Sequence, residues 1–210
     1  MASVGILGGT FNPPHIGHLV CAQEARAQLA LDRVILMPVH TPPHKEAIDD
    51  PGPQARLALC RAAIGDDEDL ELSTLEIERG GPSYTVDTLR ALHESREGDD
   101  LTFIVGGDMA SSLPSWREPE AVLELARVAV AEREEHRRHE IAERVGVLRG
   151  AQERVVFFSM PRLDISSSDI RRRVAEGRPV RWLVPGEVAD EIERRGIYGP
   201  TRPAAGRALA

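Results

Sequence analysis

The chain has 210 residues, 41% of them hydrophobic, and its 26 Lys and Arg stand against 34 Asp and Glu for a net charge of −8. That is enough apolar material for one buried core, and the acidic balance argues against sequence-independent binding to nucleic acid, which relies on a basic surface. The two cysteines, Cys21 and Cys60, form no CxxC pair, which excludes a disulfide framework or a zinc site, and no run reaches the ~18 apolar residues of a membrane span.

Met1-Ala2-Ser3 leads into strand-like sequence without a basic segment followed by an apolar one, so a reducing, cytoplasmic setting with no membrane is expected. Apolar β-like runs follow at 4–7, 34–38, 70–77, 101–105, 128–131 and 155–158. Helix-like stretches lie at 17–30, 54–64, 85–97, 118–126 and 134–145. Short, nearly continuous apolar runs suit strands covered on both faces, and their alternation with helices predicts a Rossmann-like, doubly wound parallel α/β sheet. Residues 44–53 read as a mobile polar loop and 132–144 as a solvated charged face. Two C-terminal helices, 167–176 and 186–195, each run up to a glycine, Gly177 and Gly196, where a left-handed backbone is expected. With no repeat and no linker, residues 1–199 form one domain and 200–210 a frayed tail. Cys21 and Cys60 read as small buried thiols in helices.

Chemistry gathers at two stretches. The first, GGTFNPPHIGH (Gly8 to His18), fills the turn between the first strand and the first helix. In a sheet of this kind ligands bind at the carboxyl ends of the strands. Gly8 and Gly9 would let the backbone turn tightly there. The helix start supplies unpaired N–H groups and a positive dipole, an anion site. His15 and His18, three apart, face the same way, and Gly17 between them leaves room for a flat ring. GxGxxG and GK are both absent, which removes the dinucleotide and Walker fingerprints. Taken alone, HxGH also reads as a turn whose histidines only cap and pack. The second stretch is ISSSDIRRR (Ile165 to Arg173), three serines gathering hydroxyls and N–H groups at a helix start, with Arg171 one turn in. Alone, it equally reads as an N-cap with a solvated arginine.

Together these stretches resemble the HxGH nucleotidyltransferase superfamily. Class I aminoacyl-tRNA synthetases share HIGH but carry a lysine-rich KMSKS loop that is absent here. The resemblance is closest to the bacterial nicotinate-nucleotide adenylyltransferases and runs from Gly5 to Tyr198. It adds PVHTPPHK (38–45), GGPSYTVDTL (80–89), IVGGDM (104–109) and Ser115-Trp116 to the two motifs.

The resemblance implies joining of ATP and nicotinate mononucleotide to nicotinate adenine dinucleotide and pyrophosphate, with Mg²⁺ held mainly by the ATP phosphates and no protein metal site. It implies His15, His18 and Arg171 as the catalytic groups. An ATP site follows from Gly8, Gly9, Thr10, Phe11, His15, Gly17, His18, Gly106, Asp108, Ile165, Ser166, Ser167 and Arg171. For the mononucleotide it implies Lys45, Ser83, Tyr84, Thr85, Trp116 and Arg133. The chemistry needs no Ser or Cys nucleophile, because the attacking phosphate is already anionic and catalysis is alignment and charge neutralisation.

Several of these residues keep a plain reading beside the implied one: Lys45 a solvated lysine, Trp116 a core tryptophan, Thr85 a helix cap, Asp108 a loop cap. The chain also departs from the family pattern. Asn12 stands where Asp is common, Arg117 where an aromatic is frequent, and Glu134-Glu135 follow Arg133 in place of Pro-Gly. The alternatives are a nicotinamide-mononucleotide or pantetheine-phosphate adenylyltransferase and a non-catalytic nucleotide-binding regulator. A homo-oligomer is compatible with the sequence.

Overall fold

The computed structural model describes residues 2–43, 49–132 and 134–199. In chain order the elements are β1 (Ser3–Gly9), α1 (Ile16–Leu29), β2 (Arg33–Pro38), α2 (Pro53–Ile64), β3 (Leu70–Leu72), α3 (Leu75–Arg79), α4 (Thr85–Ser95), β4 (Asp100–Gly106) and α5 (Gly107–Ser111). A 3₁₀ turn at Leu113–Ser115 leads into α6 (Pro119–Leu125), β5 (Arg127–Ala131), α7 (Glu135–Val145), α8 (Ala151–Arg154), β6 (Val155–Phe158), α9 (Ser167–Ala175) and α10 (Gly186–Arg195).

All six strands join one parallel sheet in the order β3-β2-β1-β4-β5-β6. The period-2 alternation of a strand sends successive side chains to opposite faces. Val4, Ile6, Ile35, Phe103 and Val128 pack on one face against Val86 and Leu89 of α4, Val122 of α6 and Ile141 of α7. Leu7, Val34, Leu36, Ile104 and Ala129 pack on the other against Ala22 and Ala25 of α1 and Cys60 of α2. Both faces are covered, which is why the strands read as continuous apolar runs. A third cluster seats Ile170 of α9 and Val188 and Ile192 of α10 on Leu59 and Ala63 of α2, so the two C-terminal helices are tied to the α1–α2 side of the sheet.

The expected strand 70–77 is corrected: only Leu70–Leu72 is strand, and Leu75–Arg79 is helix. Ser73 still donates its N–H to Leu36 O, but its hydroxyl accepts from Leu75 N at 3.2 Å and starts the helix. The signal was in the sequence, since Ser73-Thr74 followed by Glu76 is a helix-start pattern. Gly177 and Gly196 do adopt positive φ, 69° and 63°. Successive strands are added outward in one direction from β1 to β3 and in the other from β4 to β6, so the space outside the carboxyl ends of β1 and β4 is where a ligand is expected.

Candidate active site

Gly8 and Gly9 are strand residues, paired with Met37 and Pro38 of β2. A Cβ on Gly8 would lie 3.0 Å from the Phe103 ring, and one on Gly9 3.1 Å from the Phe11 ring. They make room for two aromatic rings. The turn expected of them is made instead at Phe11, where φ is +49°, and at a cis Asn12–Pro13 bond. Phe11 is buried and its ring meets His18 edge-on, 5.0 Å between centroids.

His15 caps α1 and His18 is its third residue. The His15 backbone N–H donates to His18 Nδ1 at 3.1 Å, and the two ring centroids are 3.7 Å apart. Since Nδ1 of His18 accepts, its Nε2 carries the proton in the neutral ring. Burial lowers the His15 pKa to about 4, and burial with the neighbouring His15 lowers that of His18 to about 3. Both are therefore neutral at pH 7, and His18 presents an N–H. A Cβ on Gly17 would lie 3.1 Å from His15 Cε1 and Nδ1, so in the ligand-free protein the flat ring against Gly17 is His15's own. The helix start is also less open than its sequence implies: Ile16 N–H donates to Leu183 O at 3.1 Å and His18 N–H to His15 O at 2.9 Å.

The second motif meets the first. Ser166 caps α9, its Oγ accepting from Asp169 N at 3.1 Å. Ser167 Oγ donates to Pro13 O at 2.8 Å. Arg171 has a side chain 14% exposed; its Nη1 donates to Asn12 O at 2.8 Å and its Nη2 to Ser168 Oγ at 3.3 Å. Arg171 is thus a clasp between stretches 159 residues apart, and its reading as a solvated arginine is removed. Ile165 is half-buried against the α2–α9–α10 cluster.

Arg56, which the sequence reading missed, holds the other side of the turn. It is fully buried in α2. Its Nη1 donates to Thr10 O at 3.0 Å and Val39 O at 2.7 Å, its Nη2 to His40 O at 2.9 Å, and its Nε pairs with Asp50 at 2.9 Å. One guanidinium so fastens the carboxyl ends of β1 and β2. The sequence signal was an arginine in line with the apolar Leu59, Cys60 and Ala63 face, one turn into the helix.

Gly106 ends β4 and is exposed. Asp108 follows in α5, its side chain 93% exposed and accepting from Arg137 Nη2 at 2.7 Å; Arg137 also pairs with Glu132 at 3.3 Å. The α4 start lies across the sheet end. Ser83 is buried, its Oγ accepting from His40 N and its N–H donating to Thr41 O, each at 3.0 Å. Tyr84 caps α4 and Thr85 is its first residue. The Arg117 guanidinium stands 4.9 Å from the Tyr84 ring centroid and donates to Asp87 at 3.2 Å, so the unexpected arginine stacks on the motif's own tyrosine. Trp116 is 9% exposed, donating Nε1–H to Ser112 Oγ at 2.9 Å and meeting Phe103 edge-on at 6.0 Å. Beneath the turn, the buried Glu76 accepts from Thr88 Oγ1 at 2.6 Å, and Arg79 donates to the same hydroxyl. Burial raises the Glu76 pKa against the pull of Thr88, Ser83 and Arg79. Lys45 and Arg133 lie outside the described residues.

The model of a cytidylyltransferase-like family matches residues 6–173. A probable nicotinate-nucleotide adenylyltransferase of Roseiflexus sp. (strain RS-1) is 43% identical over 197 residues, 94% of this chain and 98% of the relative. One from Desulfitobacterium hafniense (strain Y51) is 42% identical over 198 residues, 93% and 95%. The fold is similar to that of Plasmodium falciparum nicotinic acid mononucleotide adenylyltransferase complexed with NaAD, with a TM-score of 0.75 at 17% identity over 94% of this chain and 98% of that one. With the HIGH turn and the serine-rich helix start joined at the carboxyl end of β1, and with relatives this similar along almost its whole length, the chain belongs to the nicotinate-nucleotide adenylyltransferase family.

Proposed function

We infer that the protein transfers the adenylyl group of ATP to nicotinate mononucleotide, forming nicotinate adenine dinucleotide and pyrophosphate. The observation that supports this at the site is the clasp of Ser167 and Arg171 onto Pro13 and Asn12, which brings the two distant motifs together. A phosphate oxygen of the mononucleotide forms a bond to the ATP α-phosphorus, the α-phosphorus–oxygen bond to the β-phosphate breaks, and pyrophosphate leaves with that electron pair. No proton has to be removed from the nucleophile. The protein's part is to align the two phosphates and to meet charge growing on the α-phosphate. His18 serves this with a neutral Nε2–H donor and Arg171 with a planar fork.

Mg²⁺ enters this proposal with ATP, where it would neutralise triphosphate charge. Its coordination is assigned to the phosphates and water. Asp108 is assigned to the nucleotide rather than to the metal. A cytoplasmic setting belongs to the same reading, supported by the two free thiols; among the described residues no helix is long and apolar enough to cross a membrane.

The pyridine carboxylate is assigned to the start of α4, where Asp87 N–H already donates to Tyr84 O at 3.1 Å, so the donors offered are the Thr85 and Val86 N–H groups at the positive end of the dipole. A carboxylate accepts from such donors with charge assistance. The amide of the nicotinamide analogue would accept more weakly and turn its NH₂ against donors. Charge-assisted bonds are about twice as strong as neutral ones, and an unpaired buried donor costs about 1–3 kcal/mol. At ~1.4 kcal/mol per tenfold, the preference is at least ~100-fold in kcat/KM. Pyrophosphate release with ATP, Mg²⁺ and a panel of nicotinate mononucleotide, its amide and a pantetheine phosphate is the test. A ratio near unity between the first two would show that this turn does not read the carboxylate.

A further inference from the structure

Asn12 is the point through which the C-terminal end of the described chain reaches the nucleotide crevice. It is buried, and it meets three partners at once. Its side-chain Oδ1 accepts from the Tyr198 hydroxyl at 2.6 Å, and its Nδ2 donates to Asp49 O at 3.5 Å. Its backbone oxygen accepts from Arg171 Nη1 at 2.8 Å. The amide side chain and the carbonyl belong to one residue in a turn, so holding the first restricts the second. Tyr198 lies beyond α10 with φ +59°, packed with Ile197 on the α2–α10 cluster. Nothing in the shared chemistry of the two motifs requires this contact.

We propose that Tyr198 is a positioning residue for Arg171: through Asn12 it sets the carbonyl against which the guanidinium is aimed. With Nη1 bonded to Asn12 O, Nη2 to Ser168 Oγ and Nε 4.0 Å from Asp49 Oδ2, the rotation of the fork is defined. Loss of the tyrosine hydroxyl frees Asn12 to turn, and the fork loses its register before any phosphate arrives. Burial keeps the Tyr198 hydroxyl protonated, its pKa raised well above the usual tyrosine range, so it serves as a donor at any working pH. The proposal rests on the reading of Arg171 as an ATP phosphate ligand.

The test is a double-mutant cycle between Tyr198→Phe and Arg171→Lys, read as KM and kcat for each substrate separately. Tyr198→Phe is expected to lower kcat/KM for ATP by about 3–10-fold, the range for one lost intramolecular hydrogen bond, with KM for nicotinate mononucleotide within about two-fold of wild type. In the Arg171→Lys background the same change should have little further effect. Asn12→Ala, which removes the same acceptor, is expected to match Tyr198→Phe and serves if that variant folds poorly by its thermal midpoint. Overturning results are an unchanged ATP parameter, an equal rise in both KM values, or effects that multiply with Arg171→Lys. Unchanged ATP kinetics in Arg171→Lys alone would overturn the underlying reading, and is told apart because it involves no change at Tyr198.

Discussion

The two imidazoles at the start of α1 are held uncharged by their own packing. His15 is buried, and His18 has one nitrogen bonded to the His15 backbone and a second histidine ring 3.7 Å away. A protonated ring here would lose water and meet a neighbour that resists a second charge. The pKa values fall to about 4 and about 3 from an ordinary 6.5. Between those values and 6.5 the unfolded chain binds protons that the folded chain does not, so stability rises with pH across that window. The contribution is fully present above pH 6.5 and drains away as pH falls toward 4. The thermal midpoint of the ligand-free protein should therefore drop between pH 7 and pH 5, and a His15→Asn, His18→Asn double variant should lose most of that drop. An unchanged pH profile in the variant would place its origin elsewhere. That these two residues lie on the same side of the helix start was readable from their spacing. That the ring over Gly17 is His15's was not, because a rotamer is chosen by packing, here against the His18 ring and the turn.

At the level of elements, a single side chain from α2 joins the carboxyl ends of β1 and β2. Arg56 bonds three backbone oxygens and Asp50 from full burial, joining β1, β2 and the chain entering α2. Removing one partner of a buried charged group leaves the rest unpaired, at a cost of about 3–5 kcal/mol. Arg56→Met should lower the urea-unfolding free energy by that amount and weaken ATP binding, since Thr10 and His40 lose their anchor. A loss under ~1 kcal/mol, the net worth of an ordinary hydrogen bond, would mean that water replaces the guanidinium. Sequence periodicity located α2 to within a residue but treated Arg56 as an ordinary helix position. The error over residues 70–77 has the same root: Leu75 and Ile77 are apolar like a strand, yet Ser73 and Thr74 were already the start of α3. Apolar character alone does not distinguish a short strand from a short helix.

At the scale of the whole molecule, the sheet order puts the thiols to use as reporters. Cys21 lies between α1 and the sheet and Cys60 between α2 and the sheet, and burial pushes both thiols up to about 12. The thiolate is the reactive form, so neither should react with a chromogenic disulfide at pH 8 in the native protein, and both should react once denaturant opens the α1–α2 layer. Fast native labelling of either would show that this layer opens by itself. The sequence alone determined the alternation of strands and helices and the position of both motifs at helix starts, because these follow from local periodicity, capping residues and residue type, while the chemistry came from their resemblance to a known family. Only the tertiary structure decided that the two motifs are hydrogen-bonded together, that Arg56 fastens the ends of β1 and β2, that Tyr198 bonds Asn12, and that Arg117 stacks on Tyr84. Each of these joins residues far apart in the chain, and their pairing depends on how β1, β2 and β4 line up side by side and how α9 and α10 seat on α2, which no local pattern encodes.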